Sequence, residues 1–269
     1  MKYLISLAFL LSGYAATAQQ IQSDWDAYVT EVGGKPVSIV VDLGLVKKAP
    51  MKERPFAITV RLRILKPLAN GQPGMQETER LDRLEDLMED QLEKNTGAIY
   101  AGRFTQRGLR EFHYFALDTI GYAKALEAAF AGFVEYEWLA RAAEDKTWSN
   151  YFDVLYPGPA DLERIQNRRL VDLLRQKGDQ LTQPRRIDHH FRFRTKTSRD
   201  QFLRQPGMGA FSMEEIPEAD ADKEHPYALH LYKDDIPDYD LVEKLIMPFW
   251  EKAKKFQGRY EGWETYLVK

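Results

Sequence analysis

From Arg54 to Leu65 the apolar residues fall on every second position. Phe56, Ile58, Val60, Leu62 and Ile64 alternate with Thr59, Arg61 and Arg63, the period that puts one face of a strand in a core and the other in water. A loop marked by Asn70-Gly71 and Pro73-Gly74 follows, and then the period changes. Leu81, Leu84, Leu87, Met88 and Leu92 recur at helical spacing over Glu77 to Glu93, with Thr78 as a candidate cap. Thr96 to Phe104 and Leu109 to Leu117 read as strands around a turn at Arg107-Gly108. Asp118 then caps a short Ala-rich helix from Ile120 to Phe130. Phe133 to Arg141 reads as a strand in which Val134, Tyr136 and Trp138 alternate with Glu135 and Glu137. The order β-α-β-β-α-β fits a helix pair packed on one face of an antiparallel sheet.

Two further strands precede this unit, Trp25 to Val32 and Pro36 to Val46, separated by the turn signal Gly33-Gly34. After it, Tyr156-Pro157-Gly158-Pro159 leads into a helix from Asp161 to Gln176, with apolar positions Leu162, Ile165, Leu170, Leu173 and Leu174 and Gly178 as the stop. The order of the first half then recurs. Ile187 to Thr195 is a strand, Ser198 to Leu203 a helix and Gly209 to Ile216 a strand. An acidic loop from Glu218 to His225 leads to a strand from Tyr227 to Lys233. A helix from Asp238 to Phe256, kinked at Pro248, and a strand from Tyr260 to Val268 complete it. The expected fold class is α+β, with two antiparallel-sheet sandwich domains at residues 22–145 and 161–269 and a linker at 146–160.

The first eighteen residues are expected to be a leader. Lys2 supplies the positive start, Tyr3 to Leu11 the apolar stretch, and Ala16-Thr17-Ala18 the small-x-small cleavage pattern. An apolar run this short falls under the roughly 20 residues that span a bilayer, so the expectation is export, to the periplasm or beyond the cell, with no membrane span once residues 1–18 are gone. Hydrophobic residues at 44% and charged residues at 29% exclude disorder and a membrane bundle. The absence of Cys removes thiol catalysis and thiolate metal sites. A net charge of −3 lacks the basic excess of a dedicated nucleic-acid binder.

A family likeness rests on particular residues. Asn167-Arg168, Gly178-Asp179, Pro184-Arg185, Ile187-Asp188-His189, Phe193, Arg199 with Phe202, and Tyr260-Glu261-Gly262-Trp263 occur in that order. They resemble the regulator of ribonuclease E activity B family, with Glu261 in place of the Asp of its Tyr-Asp-Gly-Trp signature. In the first half, Trp25 with Tyr28, Val40, Asp42, Pro55, Gly71, Glu77, Leu84, Gly102-Arg103-Phe104-Thr105 and Gly108 are similar to the domain of unknown function 695 family. The resemblance implies a ferredoxin-like C-terminal half that works without catalysis by binding another protein. It implies no known activity for the N-terminal half. The namesake regulator works on a cytoplasmic ribonuclease, which an exported chain would not meet, so the fold and binding mode are carried over and the target is not.

The residues themselves offer little machinery. There is no Gly-x-Ser-x-Gly, no phosphate-binding loop and no His-x₃-His or Glu-x-x-His spacing, so no catalytic residue, metal or cofactor is assigned. His189 shares parity with Ile187, Phe191 and Phe193 and is expected to be a buried, hydrogen-bonded imidazole. The open face of the second sheet is the candidate binding surface. It is expected to carry Asp188, His190, Arg192 and Arg194, then His230 and Tyr232, then Tyr260, Glu264 and Tyr266. Trp263 joins the candidates through the signature, whose tetrapeptide is either a recognition surface or, as favoured, a structural turn with the indole in the core. The leading expectation is a protein partner on this face. Two others stand beside it: a hydrolase or transferase with Arg103, Thr105 and His113 in a cleft between the domains, and a nucleic-acid binder stacking bases on the sheet.

Overall fold

A computed structural model of the chain describes residues 22–214 and 222–268. The expected leader and much of the acidic loop, with the end of the strand before it, lie outside the described residues. The chain divides between Asp161 and Leu162 into two compact units.

In the first unit β1 (Trp25–Val32) and β2 (Lys35–Asp42) form a hairpin. Its turn residues Gly33 and Gly34 both have positive φ, 59° and 69°, which glycine adopts without a Cβ clash. After β3 (Phe56–Arg63) come α1 (Met75–Thr96), β4 (Ile99–Gln106), β5 (Leu109–Ala116), α2 (Tyr122–Phe130), β6 (Trp138–Glu144) and the short α3 (Ser149–Phe152). The sheet order is β1-β2-β4-β5-β3-β6, antiparallel throughout. Ile58, Val60 and Leu62 meet Leu81, Leu84, Met88 and Leu92 of α1 and Leu126 and Phe130 of α2 in one apolar cluster. Each such side chain, fully withdrawn from water, favours the fold by about 1.5–3 kcal/mol.

Two local expectations are corrected here. Thr78 does not cap α1: Gly74 occupies the cap position, and the Thr78 hydroxyl donates back to the Gly74 carbonyl over 3.1 Å. Phe133 to Glu137 is not strand. Phe133 and Tyr136 turn inward as a pair at helical spacing, held by Phe133 N–H to Phe130 O and Tyr136 N–H to Phe133 O, while Val134 is 87% exposed. Residues 146–160, expected as a linker, carry buried side chains. Trp148, Tyr151 and Leu155 are fully buried, with Trp148 Nε1 donating to Arg54 O (3.0 Å), Tyr151 Oη to Asp42 O (2.8 Å) and Tyr28 Oη to Leu155 O (2.9 Å). The aromatic side chains, not the prolines, decide the fate of that segment.

The second unit takes most of α4 (Pro159–Gln176), then β7 (Arg185–Phe193), α5 (Lys196–Leu203), β8 (Ser212–Glu214) and β9 (Tyr227–Asp235). A helix follows from α6 (Tyr239–Leu241) through a π-helical stretch, Val242–Ile246, into α7 (Met247–Lys255), and β10 (Gly258–Thr265) closes the sheet. The π-helical stretch abuts Pro248, where the missing N–H and the ring forbid a regular turn, so the expected break takes this form. The sheet runs β10-β7-β9-β8, antiparallel.

The two units share one topology. β3-α1-β4-β5-α2-β6 with neighbours β6-β3-β5-β4 maps onto β7-α5-β8-β9-α7-β10 with neighbours β10-β7-β9-β8. The hairpin β1-β2 is an addition beside β4 in the first unit.

Candidate functional site

Along β7 burial alternates without a break. Arg185, Ile187, His189, Phe191 and Phe193 are buried, and Arg186, Asp188, His190 and Arg192 half-buried on the opposite face. The inward residues meet an aromatic core. Phe191 lies 5.0 Å from Phe202 of α5 and 5.3 Å from Phe249 of α7, measured between ring centres. As expected, His189 belongs to that core. It is 1% exposed, and its Nδ1 lies 2.8 Å from the Tyr260 hydroxyl. Burial pushes its imidazole down to about 3, so it is neutral in the fold.

The outward residues form a connected polar surface. Asp188 Oδ1 accepts from Arg186 Nε (2.8 Å) and faces His230 Nε2 at 2.7 Å. Burial alone would raise the Asp188 carboxyl, but hydrogen bonds from Arg186 and His230 hold it below the usual range. The same Arg186 reaches Glu214 Oε2 of β8 at 2.5 Å and lies 3.8 Å above the Tyr232 ring. Hydrogen bonds donated to both carboxylates raise its guanidinium above the ordinary value. His190 pairs across the strands with His230, their rings stacked at 4.6 Å, and its Nε2 lies 3.3 Å from Glu264 Oε1. Arg192 meets Glu261 at 3.1 Å, Arg194 meets Glu224 at 2.5 Å, and Arg259 meets both Glu261 and Asp222 at 2.6 Å.

One expected member of this face is elsewhere. Tyr260 was placed outward by counting alternate positions along the last strand. A bulge between Tyr260 and Gly262 breaks that count. Tyr260 therefore pairs with Phe191 on the core side and is 7% exposed, and burial pushes its hydroxyl well above the ordinary value. Trp263 is likewise core, 6% exposed, with its indole N–H on Asn167 Oδ1 at 2.8 Å. Tyr260 and Trp263 of the tetrapeptide thus face the core. Gly262 serves it through a φ of 122° and not through close contact, since a Cβ there would meet nothing within 4 Å.

Two other residues of the likeness are structural in the same way. Asp179 and Arg185 form a buried pair at 2.6 Å, their side chains 2% and 1% exposed. Asp179 also accepts the backbone N–H groups of Leu181 (2.9 Å) and Val268 (3.0 Å).

Linear spacing missed one constellation. Asp188 of β7, Glu214 of β8 and His230 of β9 bring three metal-type ligand atoms within 4.8 Å of one another. No interval in the sequence announces them, because the sheet and not a helix turn makes them neighbours. Arg186 shares parity with Asp188 and was legible as a face residue; Glu214 lay in a predicted strand. The Arg186 guanidinium bridges both carboxylates, so a cation binding there would have to displace it.

The catalytic trio weighed for the N-terminal half does not converge. Gly102 pairs with His113 and Arg103 with Phe112 across β4 and β5, so Arg103 and Thr105 point to one face and His113 to the other. On the helix side Arg103 pairs with Glu85, and Thr105 Oγ1 accepts from Arg110 Nε at 3.0 Å.

The fold and this face define an α+β protein of two antiparallel-sheet domains, the second presenting an ion-paired open face. No helix among the described residues is long and apolar enough to cross a membrane. Two family models match the chain in succession: residues 23–156 match the family of unknown function DUF695, and residues 164–265 match the family described as regulator of ribonuclease activity B. None of the curated proteins matches the chain.

Proposed function

We propose that this is an exported, non-enzymatic regulatory protein that acts by binding another protein through the open sheet face of its C-terminal domain. Its C-terminal family is named for regulation of a ribonuclease, a role that needs recognition of a protein surface and no chemistry of its own. The observation that carries the reading is the pairing on the face. Arg186, Arg192, Arg194 and Arg259 each stand against a carboxylate. Such a surface is already neutralised residue by residue. It complements a partner patterned in both signs better than a run of phosphates, which calls for an excess of positive charge. The leader-like start supports a partner outside the cytoplasm, and on that reading the ribonuclease is not the proposed target.

The test is affinity capture from a periplasmic extract, run in parallel with a double variant, Arg192→Glu with Arg194→Glu, and with cell fractionation. A protein held by the wild type and lost by the variant supports the reading. A bound small molecule with no protein partner overturns it, and accumulation of the uncleaved chain in the cytosol overturns export.

A further inference from the structure

The N-terminal sheet has a second face, away from α1 and α2. Part of that face is covered by the segment that follows β6, where Trp148 stacks on Phe115 of β5 at 3.9 Å. Toward β6 the cover stops at Asn150 and leaves a cavity of about 460 Å³, within the size range of small-molecule sites. Thr59, Arg61, Glu111, Leu139 and Arg141 line it.

Its charges do not balance. Arg61 is neutralised by Glu111, with Nε 2.5 Å from Oε2. Arg141 has no hydrogen-bonding or ionic partner for its guanidinium among the described residues. His113 stands on the same face, directly across from Thr59, and is 1% exposed with neither ring nitrogen hydrogen-bonded. Burial keeps it neutral, pushed down to about 4. The cavity thus has one surplus positive charge, a wall formed by the 71%-exposed Leu139, and a buried imidazole lacking an acceptor. An unmet buried donor of this kind costs about 1–3 kcal/mol.

We propose that this cavity binds a small monocarboxylate with an apolar body, its carboxylate forked onto the Arg141 guanidinium and its chain lying along Leu139. The bound carboxylate also draws on Arg61. That frees Glu111, whose Oε1 lies 3.4 Å from His113 Nε2, to accept the imidazole N–H. This site is separate from the C-terminal face and stands or falls independently of the proposed protein partner.

The experiment is a titration of the full chain with hexanoate and, separately, with inorganic phosphate, followed by NMR of backbone amides and the His113 ring. Hexanoate should give saturable shifts at Thr59 and Arg141 and move the His113 ring signals. Arg141→Gln should weaken hexanoate about tenfold, as expected for loss of a charge-assisted fork. Leu139→Ser should weaken hexanoate and leave the response to phosphate unchanged. His190→Ala, on the other domain, should change nothing. An absence of saturable shifts overturns the site. Phosphate binding as tightly as hexanoate, or Leu139→Ser without effect, overturns the apolar half of the ligand. A static His113 ring overturns the Glu111 relay.

Discussion

The indole nitrogen of Trp263 donates to Asn167 Oδ1 at 2.8 Å, joining the last strand to α4 across 96 positions of sequence. Both residues are buried, and the Asn167 amide group completes its bonding on Glu163, with O at 2.7 Å and Oε1 at 2.9 Å. Trp263→Phe keeps an aromatic body but leaves the Asn167 carbonyl without its donor. Urea unfolding should show a loss of about 1–3 kcal/mol, the cost of an unmet buried acceptor. A change within error would mean that water reaches the site.

The Arg185–Asp179 pair should be costlier to break. Both side chains are buried, and Asp179 also holds the backbone at Leu181 and Val268. Arg185→Ala leaves a carboxylate buried without its counter-charge, an event that costs about 3–5 kcal/mol. The same urea assay reads it, and a loss under about 1 kcal/mol would show that the pair behaves as if exposed.

Acid should weaken the fold through two histidines. His113 and His189 are pushed by burial down to about 4 and about 3, whereas in the unfolded chain they titrate near 6.5. Between those values the unfolded chain binds protons that the fold does not, so stability rises with pH across that window. Their contribution is complete above about pH 6.5 and is lost as pH falls toward the folded values. Each adds a slope of up to about 1.4 kcal/mol per pH unit. His113→Phe should flatten the stability profile between pH 4 and 6.5; an unchanged slope would place the proton uptake on other groups.

Much of this architecture was legible because periodicity reports burial directly. The alternation from Phe56 to Ile64 became β3 and its continuation, and the alternation from Ile187 to Phe193 became β7, with His189 inside as its parity required. The reading failed where one extra residue changes the phase. The bulge at Glu261 turned Tyr260 into the core, and the inward turn of Phe133 and Tyr136 replaced a strand whose alternation looked sound. The candidate face was half legible for a related reason. Strand parity named Asp188, His190, Arg192, Arg194 and His230, but the partners Glu261 of Arg192, Glu224 of Arg194 and Glu214 of His230 depend on how separate segments meet, which no single segment encodes.

The same limit hid the role of Asp145, which offers the last prediction. Its Oδ1 accepts from Ser149 N–H (2.8 Å) and Ser149 Oγ (3.1 Å), and its Oδ2 accepts from the Asn150 N–H and side-chain amide, both 2.9 Å. Burial alone would raise this carboxyl, yet the donors of Asn150 and Ser149 hold it below the usual range. Asp145 therefore seats α3 and with it Trp148, stacked on Phe115, and Tyr151, bonded to Asp42 O. Asp145→Ala removes these contacts and the one from the Thr147 hydroxyl at once, and helix-capping acceptors alone are worth about 0.5–2 kcal/mol. The variant should lose at least that much stability and redshift the Trp148 emission as the indole meets water, while Asp145→Asn, which keeps one acceptor oxygen, should recover part of both. If Trp148 stays buried in the alanine variant, aromatic packing alone seats the segment and the carboxylate is incidental.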